Sequence, residues 1–174
     1  MNHTKKICFT ALFTAMNVIL SMEILSVPTP GGHLYLNDVI IVFASLLLEP
    51  YYAFVVGGVG SFLGDLLFYP APMFVSLVTH GLQAVVVSLI AGAKNPTKIQ
   101  RAVLAVAAGA IIMVAGYSLG RAYIYSNKET ALIKLPFQWL QAGIGACVGT
   151  VLYYSLGRVL SKFFVFEKKE KSGE

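Results

Sequence analysis

An all-α membrane protein, a polytopic bundle of six transmembrane helices, is the fold class this sequence predicts, and three observations carry it. Of 174 residues, 57% are hydrophobic and only 12% charged, with mean hydropathy +0.74, more apolarity than a water-soluble core of this size can use. Apolar runs close to the roughly 20 residues needed to cross a bilayer recur along the chain. Pro, Gly and charge clusters separate them. The expected organisation is one six-helix domain over residues 1–166 and a polar cytoplasmic tail over 167–174.

The first helix runs from about Lys6 to Leu25, because the apolar pattern persists until Val27-Pro28-Thr29-Pro30-Gly31-Gly32, which reads as a loop. Two lysines before Ile7–Leu20 mimic a secretory signal, but Ser21 to Ser26 holds no small-x-small cleavage site. The second helix, about Asn37 to Leu48, is short for a span and stops at Glu49-Pro50. The third begins near Tyr51 and ends before Pro70 and Pro72, forming a hairpin with the second. The fourth covers about Phe74 to Ala93, the fifth Ile99 to Tyr123, and the sixth Leu135 to Val165, longer than a span requires.

Charge sets the orientation. Thirteen Lys+Arg against eight Asp+Glu give +5. With six spans and both termini cytoplasmic, ten of the thirteen basic residues fall on the inner side, around Lys5-Lys6, Lys94 to Arg101 and Arg158 to Lys171. Arg121, Lys128 and Lys134 fall outside. That is the positive-inside pattern of a multi-pass cell-membrane protein in contact with lipid, and it speaks against a nucleic-acid partner. Tyr51, Tyr52, Tyr69, Tyr123, Tyr125, Phe163 and Phe164 gather near the proposed interfaces. Cys8 and Cys147 sit in apolar runs without metal-ligand spacing, so neither a disulfide nor a metal site is expected.

Helices in lipid associate through small residues that admit close backbone approach. Ala11 and Ala15, Gly60 and Gly64, Gly116 and Gly120, and Gly145 and Gly149 each make a small-xxx-small step. Internal packing explains most such pairs. Ala11 and Ala15 also suit docking of a partner, since they lie toward the basic end of the first helix.

Ionisable and amide side chains at membrane depth are costly unless paired or wet, so each is a functional candidate. Glu23, Asn37, Asp38, Asp65, His80, Gln83, Tyr117, Arg121, Gln138, Trp139 and Gln141 all fall toward the outer half of the proposed bundle. His80 and Gln83 share a helix face at i, i+3, as do Gln138 and Gln141. Asp38 reads as a helix-capping carboxylate. Asp65 reads as an ion-pair partner of Arg121 or His80, or as a ligand contact. Trp139 suits stacking on a planar ring or anchoring at the interface. His33 and Tyr35 are placed to close over a ligand from the Pro-Gly loop. Together these residues predict an outward-opening, polar but uncharged pocket for a small heteroaromatic molecule bearing hydroxyls.

Pro30-Gly31-Gly32-His33-Leu34-Tyr35-Leu36-Asn37-Asp38, then Glu49-Pro50-Tyr51-Tyr52-Ala53 and the Gly-rich Gly57 to Asp65 segment, resemble the substrate-binding S components of energy-coupling factor (ECF) transporters. The likeness is to the riboflavin-transporter-like group, and within it to the hydroxymethylpyrimidine/pyridoxine type. It runs over nearly the whole chain and includes Ala11-x-x-x-Ala15, where the family keeps its docking motif. Asn37 departs from the Gly that often precedes this Asp, and His80 stands where relatives often carry Lys. The resemblance implies a non-enzymatic subunit that captures a vitamin or vitamin precursor outside the cell. It would dock on a transmembrane coupling subunit, powered by two cytoplasmic ATPases, and reorient in the membrane to release its cargo. No G-x-x-x-x-G-K-[ST] motif is present, so ATP is expected to be used by the partners and no cofactor by this chain. Two other readings stay open: a stand-alone proton-coupled transporter titrating Asp65 or Glu23, and an intramembrane protease using Ser61 with His80.

Overall fold

The computed structural model describes residues 3–30, 32–92 and 97–165, with side chains as far as residue 156. Six helical rods form the bundle: α1 His3–Leu20, α2 Asn37–Leu47, α3 Pro50–Phe68, α4 Met73–Ala91, α5 Ile99–Tyr125 and α6 Lys128–Val165. The expected tail over 167–174, Lys94 and the side chains of Phe163 and Phe164 lie outside the described residues. Among the described residues, α3, α4, α5 and α6 are long and apolar enough to cross a membrane. Leu104, Ile111 and Val151 lie on outward faces, each more than half exposed. Side chains of that kind are at home against lipid rather than water.

Helix α2 is the exception that organises the rest. Its eleven residues span only ~16 Å, and ten of them are buried. It is therefore a central rod enclosed by its neighbours, not a lipid-facing span. Leu48 leaves the helix in extended conformation, and Pro50 starts α3 at a position where its missing N–H costs nothing. Phe43 and Leu46 of α2 join Phe13, Val87, Val106 and Tyr153 in the main apolar core.

Three departures from the sequence expectation shape one end of the bundle. First, α1 stops at Leu20 rather than Leu25. The Ser21 hydroxyl bonds back to Asn17 O at 2.9 Å, and Glu23–Leu25 form a separate 3-10 turn. Second, the Pro-Gly loop contains two short antiparallel strands, β1 Val27–Thr29 and β2 Gly32–Leu34, paired Val27 to Leu34 and Thr29 to Gly32. Gly32 takes φ 139°, a value that suits glycine. Third, α6 begins at Lys128, seven residues before Leu135. Asn127 Oδ1 caps it by accepting the Thr130 N–H at 2.8 Å, and the helix then runs through Pro136.

Small residues set the spacing between rods. A Cβ at Gly57 would lie 2.6 Å from His80 O, so α3 rides directly on the α4 backbone beside that residue. The helix widens into a π turn at Val55–Val59 there. Gly60 and Gly64 face Asn17 of α1 and Ser21 just after it, Gly116 and Gly120 face Thr79 and Val75 of α4, and Gly145 and Gly149 face Asp38 and Val42 of α2. All three pairs serve internal packing. Ala11 and Ala15 instead stand exposed on the outside of α1.

Candidate functional site

Between the hairpin and the helix ends nearest it lies a cavity of about 240 Å³. Each polar residue of its wall is aimed by a fold feature already described. The start of α2 presents Asn37; the packing of α3 on α4 presents Asp65 and His80; a π turn at Arg121–Tyr125 ends α5 and turns Arg121 and Tyr125 to the wall. Such widened turns recur at functional sites.

Behind His80 runs a buried polar chain. Its Nδ1 lies 2.7 Å from Gln83 Oε1, and Gln83 Nε2 donates to Asp38 Oδ1 at 3.0 Å. Gln141 Nε2 donates to the other carboxylate oxygen at 2.6 Å, while Gln141 Oε1 accepts the Tyr35 N–H at 3.2 Å. Asp38 is 1% exposed. The capping role read from its position gives way to this hub, since no side chain caps α2.

Across the cavity, Ser76 Oγ donates to Asp65 and lies 2.5 Å from Tyr117 Oη. The Tyr117 ring meets His80 edge-on, with centroids 5.1 Å apart. The imidazole turns its Nδ1 to Gln83, 3.8 Å from Asp38, and not to Asp65. Gln138 accepts from Ser118 Oγ at 2.8 Å, which leaves its buried Nε2 without a partner. Asn37 Oδ1 is likewise buried without a partner, its Nδ2 lying 3.4 Å from Ser21 Oγ. Unsatisfied buried groups of this kind cost ~1–3 kcal/mol each, and a ligand can repay that.

The hairpin roofs the cavity. Lys134 Nζ donates to Thr29 Oγ1 at 2.6 Å and to His33 O at 2.8 Å, fastening both strands to α6. His33 Nδ1 lies 2.9 Å from Ser26 Oγ, and its Nε2 is 3.8 Å from Glu23. The Tyr35 phenol is pushed up to about 12, first by burial and then by the nearby carboxylates of Asp65 and Glu23, so it stays protonated.

Ten of the residues singled out from sequence line the cavity: Glu23, His33, Tyr35, Asn37, Asp65, His80, Tyr117, Arg121, Gln138 and Gln141. Gln83 stands one layer behind, and Trp139 is half exposed on the outer face of α6, away from the wall. Its stacking role is withdrawn. The expected absence of charge also fails: Arg121, Lys134, Asp65 and Glu23 all border the space. Sequence reasoning missed Ser21, Tyr69, Tyr125 and Lys134, the last having been placed in an outer loop.

A membrane-embedded helical bundle with a roofed polar cavity is the architecture of a membrane protein that can hold a small molecule. The chain matches the ECF-type riboflavin transporter S component family over residues 1–158. An uncharacterized protein encoded in a "gap 3′ region" of Pyrococcus woesei is 30% identical over 142 residues, covering 82% of this chain and 94% of that one. A solved S component of a bacterial ECF transporter superposes with TM-score 0.70 at 19% identity, covering 91% of this chain and 99% of the other. The chain belongs to the ECF-type riboflavin transporter S component family, and is thus a substrate-binding vitamin-transporter subunit and not an enzyme. The protease reading falls with that finding. Ser61 is buried and accepts from Asn17 Nδ2 at 3.2 Å, a packing role.

Proposed function

We propose that this S component captures a single-ring, hydroxylated vitamin or precursor, pyridoxine or hydroxymethylpyrimidine, from outside the cell. The observation that carries this reading is the set of buried, unpartnered polar atoms, Gln138 Nε2, Asn37 Oδ1 and Tyr125 Oη, on residues lining a roofed space of about 240 Å³. That volume sits below the ~300–1,000 Å³ of sites for drug-sized ligands. A single ring with short polar arms suits it better than a three-ring flavin with a ribityl chain. The family's name favours riboflavin as the second reading.

Delivery, in this proposal, relies on other chains. Ala11 and Ala15 border an open apolar groove completed by Tyr51, Tyr52, Val55 and Leu63 of α3. Small residues on one wall and rings on the other suit an apolar helix of a transmembrane coupling subunit. Two cytoplasmic ATPases would supply the energy, with both termini of this chain on their side.

Calorimetric titration of the purified protein with pyridoxine, hydroxymethylpyrimidine and riboflavin tests the substrate. Saturable binding of either single-ring compound, tighter than riboflavin, is expected. Riboflavin binding alone would transfer the assignment to the second reading, and uptake into liposomes by this chain without ATPase partners would favour a stand-alone transporter.

A further inference from the structure

The hydrogen bonds behind His80 fix which of its ring nitrogens carries the proton, and this sets what the cavity accepts. One group in the network has no choice of role. The Tyr35 backbone N–H can only donate, so Gln141 must turn Oε1 toward it and Nε2 toward Asp38. The Asp38 carboxylate then accepts from Gln141 at one oxygen and from Gln83 Nε2 at the other. With its amide nitrogen committed to Asp38, Gln83 offers only its carbonyl oxygen to His80. A carbonyl oxygen only accepts, so Nδ1 must hold the imidazole proton. In the neutral ring, Nε2 is left as a lone pair, and His80 is part of the cavity wall.

The neighbouring groups are polarised the same way. Ser76 spends its one proton on Asp65, so Tyr117 must donate its own to Ser76. Neither hydroxyl retains a proton for a ligand. Asn37 leaves an unpartnered carbonyl oxygen. Against these acceptors stands Gln138, whose Oε1 is held by Ser118 and whose buried Nε2 remains a donor.

We infer that Gln83, oriented by Asp38, locks His80 as an Nδ1–H tautomer whose Nε2 selects a ligand carrying an N–H or O–H donor directly on its aromatic ring, while Gln138 engages an acceptor on the same molecule. An aminopyrimidine or a hydroxypyridine has both groups. Gln83 is a positioning residue here, acting only through His80. This inference rests on the vitamin-capture reading for the ligand, but the tautomer is a property of the chain itself.

The test has two arms. In the full chain, labelled with ¹⁵N-histidine and reconstituted in nanodiscs, the His80 ring nitrogens are assigned by comparison with His80→Asn. The expected spectrum has Nδ1 protonated and Nε2 bare, and Gln83→Leu should raise the Nε2–H population. A wild-type ring protonated at Nε2, or at both nitrogens, overturns the inference whatever the protein binds.

In the second arm, hydroxymethylpyrimidine is compared with its 4-deamino analogue, and pyridoxine with 3-deoxypyridoxine. Loss of the donor should weaken binding to wild type about 10- to 100-fold and leave binding to His80→Ala nearly unchanged. Equal binding of each vitamin and its analogue to wild type overturns the donor requirement. If neither vitamin binds, the substrate proposal fails, and the spectrum alone then decides the tautomer.

Discussion

Replacing Gly145 by alanine puts a methyl group where the packing leaves no room. A Cβ at this position would lie 2.5 Å from Asp38 Cβ and 3.1 Å from the Asp38 carbonyl carbon. Carbon atoms rest at ~3.5–4.0 Å, so α2 must retreat from α6 by about 1 Å. Backbone shifts of this kind cost ~1–3 kcal/mol. The strain falls on Asp38, whose two oxygens hold Gln83 and Gln141, and through Gln83 it reaches His80. If all of it is charged to the bound geometry, affinity drops by ~5- to 150-fold, at 1.4 kcal/mol per tenfold. Calorimetry with whichever of pyridoxine or hydroxymethylpyrimidine binds wild type reads this out. Gly143→Ala is the control, because nothing lies within 4 Å of a Cβ there. Affinity within twofold of wild type for both variants would refute the view that Asp38 positions the site.

The other predictions follow from the same geometry. His80→Ala and Gln138→Ala should each weaken vitamin binding with the protein still folded, whereas Trp139→Ala, on the outer face, should leave affinity unchanged; calorimetry separates the three. Ala11→Leu with Ala15→Leu should preserve ligand binding and abolish assembly with the coupling subunit, so normal copurification of the double variant would reject the docking groove. The Tyr35 phenol, raised to about 12 in the folded chain from an ordinary value near 10, contributes stability that is complete below pH 10 and lost as pH climbs through 12. The melting-temperature difference between wild type and Tyr35→Phe should therefore stay constant from pH 7 to 10, and a gap that closes within that window would contradict the shift.

What could be read from the sequence was whatever depends on position along one helix. Apolar runs bounded by Pro-Gly and charge marked all six rods, and polar residues stranded in those runs marked most of the cavity wall. The misses have two origins. Some come from incomplete use of helical phase. At about 100° per residue, Gln138 and Gln141 lie ~60° apart, while Trp139 points ~130° from their mean direction. Lys134 lies within ~40° of both. Extending the glutamine stripe back one turn finds the lysine and excludes the tryptophan, a step that starting the helix at Leu135 prevents. The remaining misses could not be read locally. Asp38 at the head of α2 looks like a cap until Gln83 and Gln141, 45 and 103 residues away in sequence, are brought to it.

That distance explains why so short a helix as α2 sits at the centre. An eleven-residue rod cannot span the hydrocarbon layer, so its N-terminal end stops inside the bundle and delivers Asn37 to the wall of a cavity and Asp38 to the buried layer behind it instead of to water. A buried carboxylate is tolerable there only with donors on both oxygens, and those donors must come from helices close enough to touch. Gly145 provides that closeness from α6, and Gly57 keeps α3 tight against α4 beside His80. The glycines and the polar network are thus one device: the small residues bring the rods within hydrogen-bonding range, and the amides so gathered fix the orientation of His80 in the cavity wall. A substitution that widens either contact should therefore damage recognition before it damages the fold, because the apolar core around Phe43 and Val87 has no residue in common with the cavity wall.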